Sequence, residues 1–257
     1  METGVLDWLP RYARYRLRFS LPASARLPRH PGSAWRGAFG WALRELVCQT
    51  GQPECTGCVL KSQCLYQRIF ETAVDEARSG VRTHAPHPFV LHVPPGGQPS
   101  TDANAWIEMT LIGEACDALP TVVEALRKAG EAGIAGRRNR LNLWSASQWH
   151  GGRWEPILRP EWETLRRLEP NPAAETPPCP GGNLRVRLLS PLRLKHQGRL
   201  VNESGLTPHV FLRALYARMH HLARYHAASA MAEWPEIPGQ ASFFRSRLRW
   251  HEIDRYS

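Results

Sequence analysis

Residues 12–21, YARYRLRFSL, alternate without a break. Ala13, Tyr15, Leu17, Phe19 and Leu21 fall on one side, and Arg14, Arg16 and Arg18 on the other. Wound as a helix, this run would scatter its apolar side chains around the axis. As a strand it has one face to bury and one to leave open. The chain therefore needs a sheet covered on its apolar side and presenting arginines on the opposite side. Three like charges on one strand face call for anions, or else for full solvation.

The rest of the chain can be read against that strand. Pro31 and Ser33 open a helix that runs to about Cys48, in which Gly37 and Gly40 lower the propensity and suit a close approach by another backbone or an RNA strand. A cysteine-bearing insert follows, then a second helix-like run, LYQRIFETAVDEARSG. PHPFVLHV and AWIEMTLIG read as strands joined by a loop at 94–100, and 117–130 as a helix with Leu119, Val122, Val123 and Leu126 at helical spacing. GEAGIAGRRNR is a glycine-rich turn loaded with arginine, and RLNLW continues as a strand. The order β-α-(insert)-β-β-α-β is that of a ferredoxin-like unit, the path of an RNA-recognition fold. Beyond the Pro- and Gly-rich stretch at 169–183, NLRVRLLSPLRLK, LTPHVFLRALYARMHHLARYH and FRSRLRW restart β-α-β and stop. In the helix of that second half, Phe211, Leu215, Met219 and Leu222 form the expected core stripe. The fold class is thus α+β, with two ferredoxin-like units, the second incomplete. The domains are 1–155, carrying a Cys-containing helical insert at about 49–80, a linker at 156–183, and 184–257.

The chain of 257 residues carries a net charge of +10, almost all from arginine, since Lys61, Lys128 and Lys195 are its lysines. Guanidinium forks match phosphates and guanine edges, so nucleic acid is the natural partner; a basic surface of no special use is the alternative. No window approaches the length of uninterrupted apolar residues that a membrane span needs, and the N-terminus does not read as a signal peptide. A cytoplasmic protein is expected. There, clustered cysteines point to metal or redox chemistry rather than disulfides.

Cys48, Cys55, Cys58 and Cys64 follow C-x6-C-x2-C-x5-C. The short Cys55–Cys58 spacing can wrap one ion, and four thiolates would complete a tetrahedral structural zinc site. An iron–sulfur cluster is a second way to use the set, and thiols packed as small hydrophobes a third. Cys116 and Cys179 stand alone.

The segments SAWRGAFGWALRELVC with CTGCVLKSQCLYQRIFE, LIGEACDALPTVVEALRKAGEAGIAGRRNRLNL and LRVRLLSPLRLKHQGRLVNESGLTPHVFLRALYARMHHLARYH, and the closing RWHEIDRYS, resemble in order the RAMP-superfamily endoribonucleases that process CRISPR precursor RNA. The short, arginine-rich character is similar to the processing subunits of type IV systems. The resemblance implies an enzyme that binds a repeat stem-loop and cuts at its base by 2′-OH attack, leaving a cyclic phosphate. It needs no metal for the chemistry, and stays bound within an effector complex of other subunits. It also implies a continuation past the RYS-like segment, so that, with Ser257 following Tyr256, the second unit reads as abbreviated. A non-catalytic crRNA-binding subunit is the rival reading.

Such a reaction needs a proton acceptor, a proton donor and stabilisation of the phosphorane charge. His30, in ARLPRHPGSAWRG, lies where some members of that family carry a catalytic histidine; the alternative is an ordinary loop histidine. Arg26 and Arg36 are candidates for charge stabilisation, with Arg29 beside them. Arg137, Arg138 and Arg140 follow Gly130, Gly133 and Gly136 and would present guanidinium forks and backbone N–H groups to phosphates. Arg14, Arg16 and Arg18, the helix pair Arg213 and Arg224, and Arg245, Arg247, Arg249 and Tyr256 complete the expected RNA contacts, each also readable as a solvated surface.

Overall fold

The protein is seen here as a computed structural model that describes residues 9–72, 85–94, 104–171, 184–188, 191–227, 242–243 and 247–250. Five strands form one antiparallel sheet: β1 (Tyr12–Ser20), β2 (Phe89–His92), β3 (Asn104–Ile112), β4 (Asn142–His150) and β5 (Arg153–Leu158), in the spatial order β2-β3-β1-β4-β5. The expected alternation holds along β1. Ala13, Tyr15, Leu17 and Phe19 are buried, and the arginines occupy the other face.

Two helices, α1 (Gly32–Val47) and α2 (Leu119–Ala132), cover the apolar face side by side. α1 buries Trp35, Phe39, Ala42 and Leu43, and α2 buries Leu119, Val122, Val123, Leu126 and Ala129, each set at helical spacing. Burying an aromatic or leucine side chain here contributes about 1.5–3 kcal/mol. Trp35 packs on Phe19 with ring centroids 4.9 Å apart, which ties α1 to the sheet. The close approach at Gly40 is made by a side chain: an added Cβ would lie 2.4 Å from the Phe70 ring, whereas Gly37 faces open space.

The run expected as a second long helix is a short turn. Gln67–Glu71 form a π-helical turn that ends at Thr72, whose φ of +44° breaks the path. The insert before it, from Cys48 to Cys64, is built of turns rather than helices, and residues 73–80 of the expected helix lie outside the described residues. A fifth strand was not anticipated. Its signal in the sequence is the Gly151-Gly152 pair, and in the structure both glycines have positive φ and close a two-residue hairpin between β4 and β5.

Residues 159–171, read from sequence as linker, run back along the first unit. Leu165 and Leu168 pack on its core, and Asn171 pairs with Tyr12 at the start of β1. The described residues of the second half have less regular structure than expected. Residues 184–188 are exposed and form no strand pairing among the described residues, and a small hairpin joins β6 (Lys195–His196) to β7 (Arg199–Leu200). The helix α3 (Pro208–His226) is capped by Thr207, whose hydroxyl accepts the Val210 N–H. Its expected core stripe is only half-buried, with Leu215 exposed; Ala223 is its one buried residue. The expected last strand falls partly outside the described residues, and 247–250 are irregular and exposed. Among the described residues no helix is long and apolar enough to cross a membrane.

Candidate nucleic-acid interface

Strand order decides which loops meet. β1 and β4 are antiparallel neighbours, so the end of β1 at Ser20 lies against the start of β4 at Asn142. The loop leaving β1, residues 21–31, and the glycine-rich loop entering β4, residues 133–141, therefore emerge at one end of the sheet.

Asn139 fastens them together. Its Oδ1 accepts the Arg26 backbone N–H at 2.8 Å, and its Nδ2 donates to the Ile134 carbonyl at 2.9 Å. Its own backbone exchanges hydrogen bonds with Gly136 and Ile134 at 3.0 Å. Ile134 is fully buried and anchors the loop to the core. Gly133 is required here. Its φ is +104°, and an added Cβ would sit 2.6 Å from the Gly136 carbonyl oxygen. The clamp is nearly solvent-free, yet the arginines on either side of it point out.

Arg26, Arg29, His30, Arg137, Arg138 and Arg140 are all exposed on these two loops, and neither loop contains an acidic residue. Among the described residues none of the six forms an ion pair. Arg26 spends Nη1 on the Ala23 and Ala25 carbonyls at 2.9 and 2.8 Å, which fixes its side chain and leaves its charge uncompensated. His30 makes no hydrogen bond or ring contact among the described residues. The patch can attract and orient phosphates through several guanidinium groups at once.

Arg36 does not join this group. It is half-buried, with its guanidinium 4.9 Å from the Phe70 ring centroid and 5.2 Å from that of Phe89, and burial lowers its pKa. It faces β2 and the π-helical turn, and no hydrogen bond or ring contact links it to His30 or Arg26.

The arginine face of β1 carries a partner that sequence reasoning missed. Glu108 on β3 lies directly across from Arg16. Its Oε2 accepts two hydrogen bonds from Arg14, at 2.9 and 2.6 Å, and its Oε1 two from Arg16, at 3.1 and 2.7 Å. Burial pushes this carboxyl up, but the Arg16 and Arg14 hydrogen bonds prevail and hold it below the usual carboxylate range. Arg16 also lies between two indoles, 4.2 Å from the Trp154 centroid and 4.8 Å from that of Trp106. The anion that this face calls for is thus supplied internally for two of its arginines. Arg18 remains exposed beside Trp106, at the same end of the sheet as the two loops.

On α3, Arg213 and Arg224 are exposed, and Arg224 lies 5.8 Å from the Tyr225 ring centroid. Arg247 and Arg249 are exposed on an irregular segment; Arg245, Tyr256 and Cys179 lie outside the described residues. α3 meets the first unit at its C-terminal end. There the His226 Nε2–H donates to the Pro86 carbonyl at 2.7 Å, and the His226 carbonyl would be 2.4 Å from a Cβ on Gly113.

Cys48, Cys55, Cys58 and Cys64 line one cavity of about 410 Å³ at the C-terminal end of α1. Hydrogen bonds from the Gly51 backbone and Thr50 lower the Cys48 thiol pKa. Cys116 lies in the core, and burial raises its thiol to about 11.

Residues 9–172 match the family AF_1859_N, described as an N-terminal domain, and the chain belongs to that family. The match spans the five-stranded sheet, both covering helices and the returning segment. No curated protein matches the chain.

Proposed function

We propose that this member of the AF_1859_N family is an RNA-binding endoribonuclease that grips a stem-loop at the loop end of its sheet and cuts one strand by 2′-OH attack. The substrate is a CRISPR repeat RNA, as the resemblance to the RAMP superfamily implies, and the product stays bound for assembly with other effector subunits. The order β-α-β-β-α-β, with β3 and β1 central and β2 and β4 flanking them, supports a ferredoxin-like first unit.

The observation that carries the reading is the Asn139 clamp. It joins the loop of Arg26, Arg29 and His30 to the loop of Arg137, Arg138 and Arg140. Arginines stay protonated throughout the accessible pH range and stabilise a phosphorane without exchanging protons. His30 is the group in the patch suited to moving a proton near neutral pH. In-line positioning of the 2′-OH by several fixed guanidinium groups would supply a large part of the rate.

A second reading is favoured by two of the placements. His30 has no orienting hydrogen bond among the described residues, and Arg36 is turned towards Phe70 and Phe89. Both suit a binding subunit that holds crRNA without cutting it.

One experiment separates the readings. Purified protein is incubated in excess EDTA with an end-labelled repeat hairpin, and with the same RNA carrying a single 2′-deoxy substitution at the cut site. A discrete cut, lost on 2′-deoxy substitution and slowed about 10²–10⁴-fold by His30→Ala, supports the enzyme. Salt-sensitive binding without a cut supports the binding subunit. Absence of both sinks the proposal.

A further inference from the structure

From Cys48 to Cys64 the chain has almost no core of its own. It contains no strand and no helix, and its turns are closed by a few backbone bonds, such as Cys58 N–H to the Cys55 carbonyl at 3.3 Å and Lys61 N–H to the Cys58 carbonyl at 3.1 Å. Every residue in this stretch is exposed except five: Cys48, Cys55, Cys58, Cys64 and Leu60. One leucine cannot hold a segment of this length against its conformational entropy. Yet all four cysteines line the same cavity, and Cys55 and Cys64 pack on the main core, while Val59 is left in solvent.

The backbone is shaped for wrapping an ion. Gly57, within the Cys55–Cys58 turn, has φ +74°, the left-handed bend that lets two closely spaced cysteines face one point. The Cys48 and Cys58 sulfurs each lie 3.8 Å from the Thr50 hydroxyl, so the first and third cysteines already flank one side chain. Arg44 donates to the Gln52 and Pro53 carbonyls, which holds the intervening loop against α1. The four thiols line the cavity rather than standing at ligand spacing; among the described residues no three Cys, His, Asp or Glu side chains form a ready-made set. Binding would tighten the turns, as is general where metal affinity and local folding are coupled.

We propose that Cys48, Cys55, Cys58 and Cys64 form a tetrathiolate site for one structural Zn²⁺ ion, which supplies the core that this insert lacks. The ion is closed in by four protein ligands and leaves no open position for chemistry. It fixes the C-terminal end of α1 to the π-helical turn, whose Phe70 packs on Gly40. The site is independent of the RNA reading and is tested without RNA.

The test is metal content of the full chain after expression and refolding with zinc, beside Cys58→Ser and Cys116→Ser. About one zinc per chain is expected in wild type and in Cys116→Ser, with loss in Cys58→Ser. Because removing a ligand can unfold the insert, a second readout uses the unaltered chain. Chelator-treated protein is titrated with Co²⁺ and should develop the intense visible bands of tetrahedral thiolate coordination. Zinc should also slow alkylation of four thiols. No zinc uptake, an iron–sulfur absorption spectrum with bound iron, or equal alkylation with and without zinc would each overturn the assignment.

Discussion

Replacing Glu108 by glutamine keeps the side-chain shape and removes the charge on which two arginines converge. The wild-type carboxylate accepts four guanidinium N–H bonds while its own side chain is 6% exposed. In the variant one oxygen becomes an NH₂ group that points donors at donors, so one arginine loses both bonds and the other keeps a neutral acceptor. A hydrogen bond to a charged group contributes about 1.5–3 kcal/mol. Arg14 and Arg16 are 44% and 25% exposed, so water recovers part of the loss. The net expectation is about 2–3 kcal/mol, a drop in Tm of roughly 4–12 °C for a unit of this size. The assay is thermal and urea unfolding at neutral pH of wild type, Glu108→Gln, Arg16→Gln and the double variant. The two single costs should fail to add, because both remove the same bonds. A single-variant cost below about 0.5 kcal/mol, or full additivity, refutes the argument that Glu108 organises this face. The acid limb gives an independent check. The folded pKa of Glu108 is depressed, so its contribution is present above the unfolded value of about 4.3 and is lost as pH falls through the folded one. Glu108→Gln should flatten that limb.

Asn139→Ala should destabilise the chain by about 1–3 kcal/mol and weaken RNA binding although no charge is removed; unchanged affinity in a filter-binding titration counts against the clamp. Arg138→Ala with Arg140→Ala should lower RNA affinity and reduce the salt slope by about one per arginine, measured from binding across a salt series. Gly133→Ala should cost about 1–3 kcal/mol in urea unfolding, because an L side chain there meets both positive φ and the Gly136 carbonyl. Partial burial lowers the His226 pKa, so the half-buried neutral ring supports stability above the unfolded value of about 6.5, and that contribution is lost as pH falls. Amide protection factors at the end of α3, which correct for the intrinsic pH dependence of exchange, should therefore fall in mild acid in wild type and lose that pH dependence in His226→Gln.

Much of the first unit was legible in the sequence. The faces of β1, the spans of α1 and α2, and the β-α-β-β-α-β order follow from periods of two and 3.6 over contiguous residues. Where the reading failed, the sequence was locally ambiguous. LYQRIFE reads as a helix and is cut short by a π turn at Thr72, and the alternation at 184–188 pairs with no strand among the described residues. The candidate site was legible only as a list of arginines. Nothing near Arg26 in sequence announces Asn139, and nothing near Arg16 announces Glu108.

The sequence alone therefore determined which side of each element is apolar, where the positive charge lies and how the four cysteines are spaced, because these properties are set by neighbours along the chain. Only the tertiary structure decided which charges are spent and which are offered. Strand order places Glu108 across from Arg16 and brings the loop after β1 against the loop before β4. Two like runs of arginine thus become a compensated sheet face and an uncompensated loop patch. Contacts between residues so far apart in sequence are fixed by how the whole sheet pairs and packs, which no local pattern encodes.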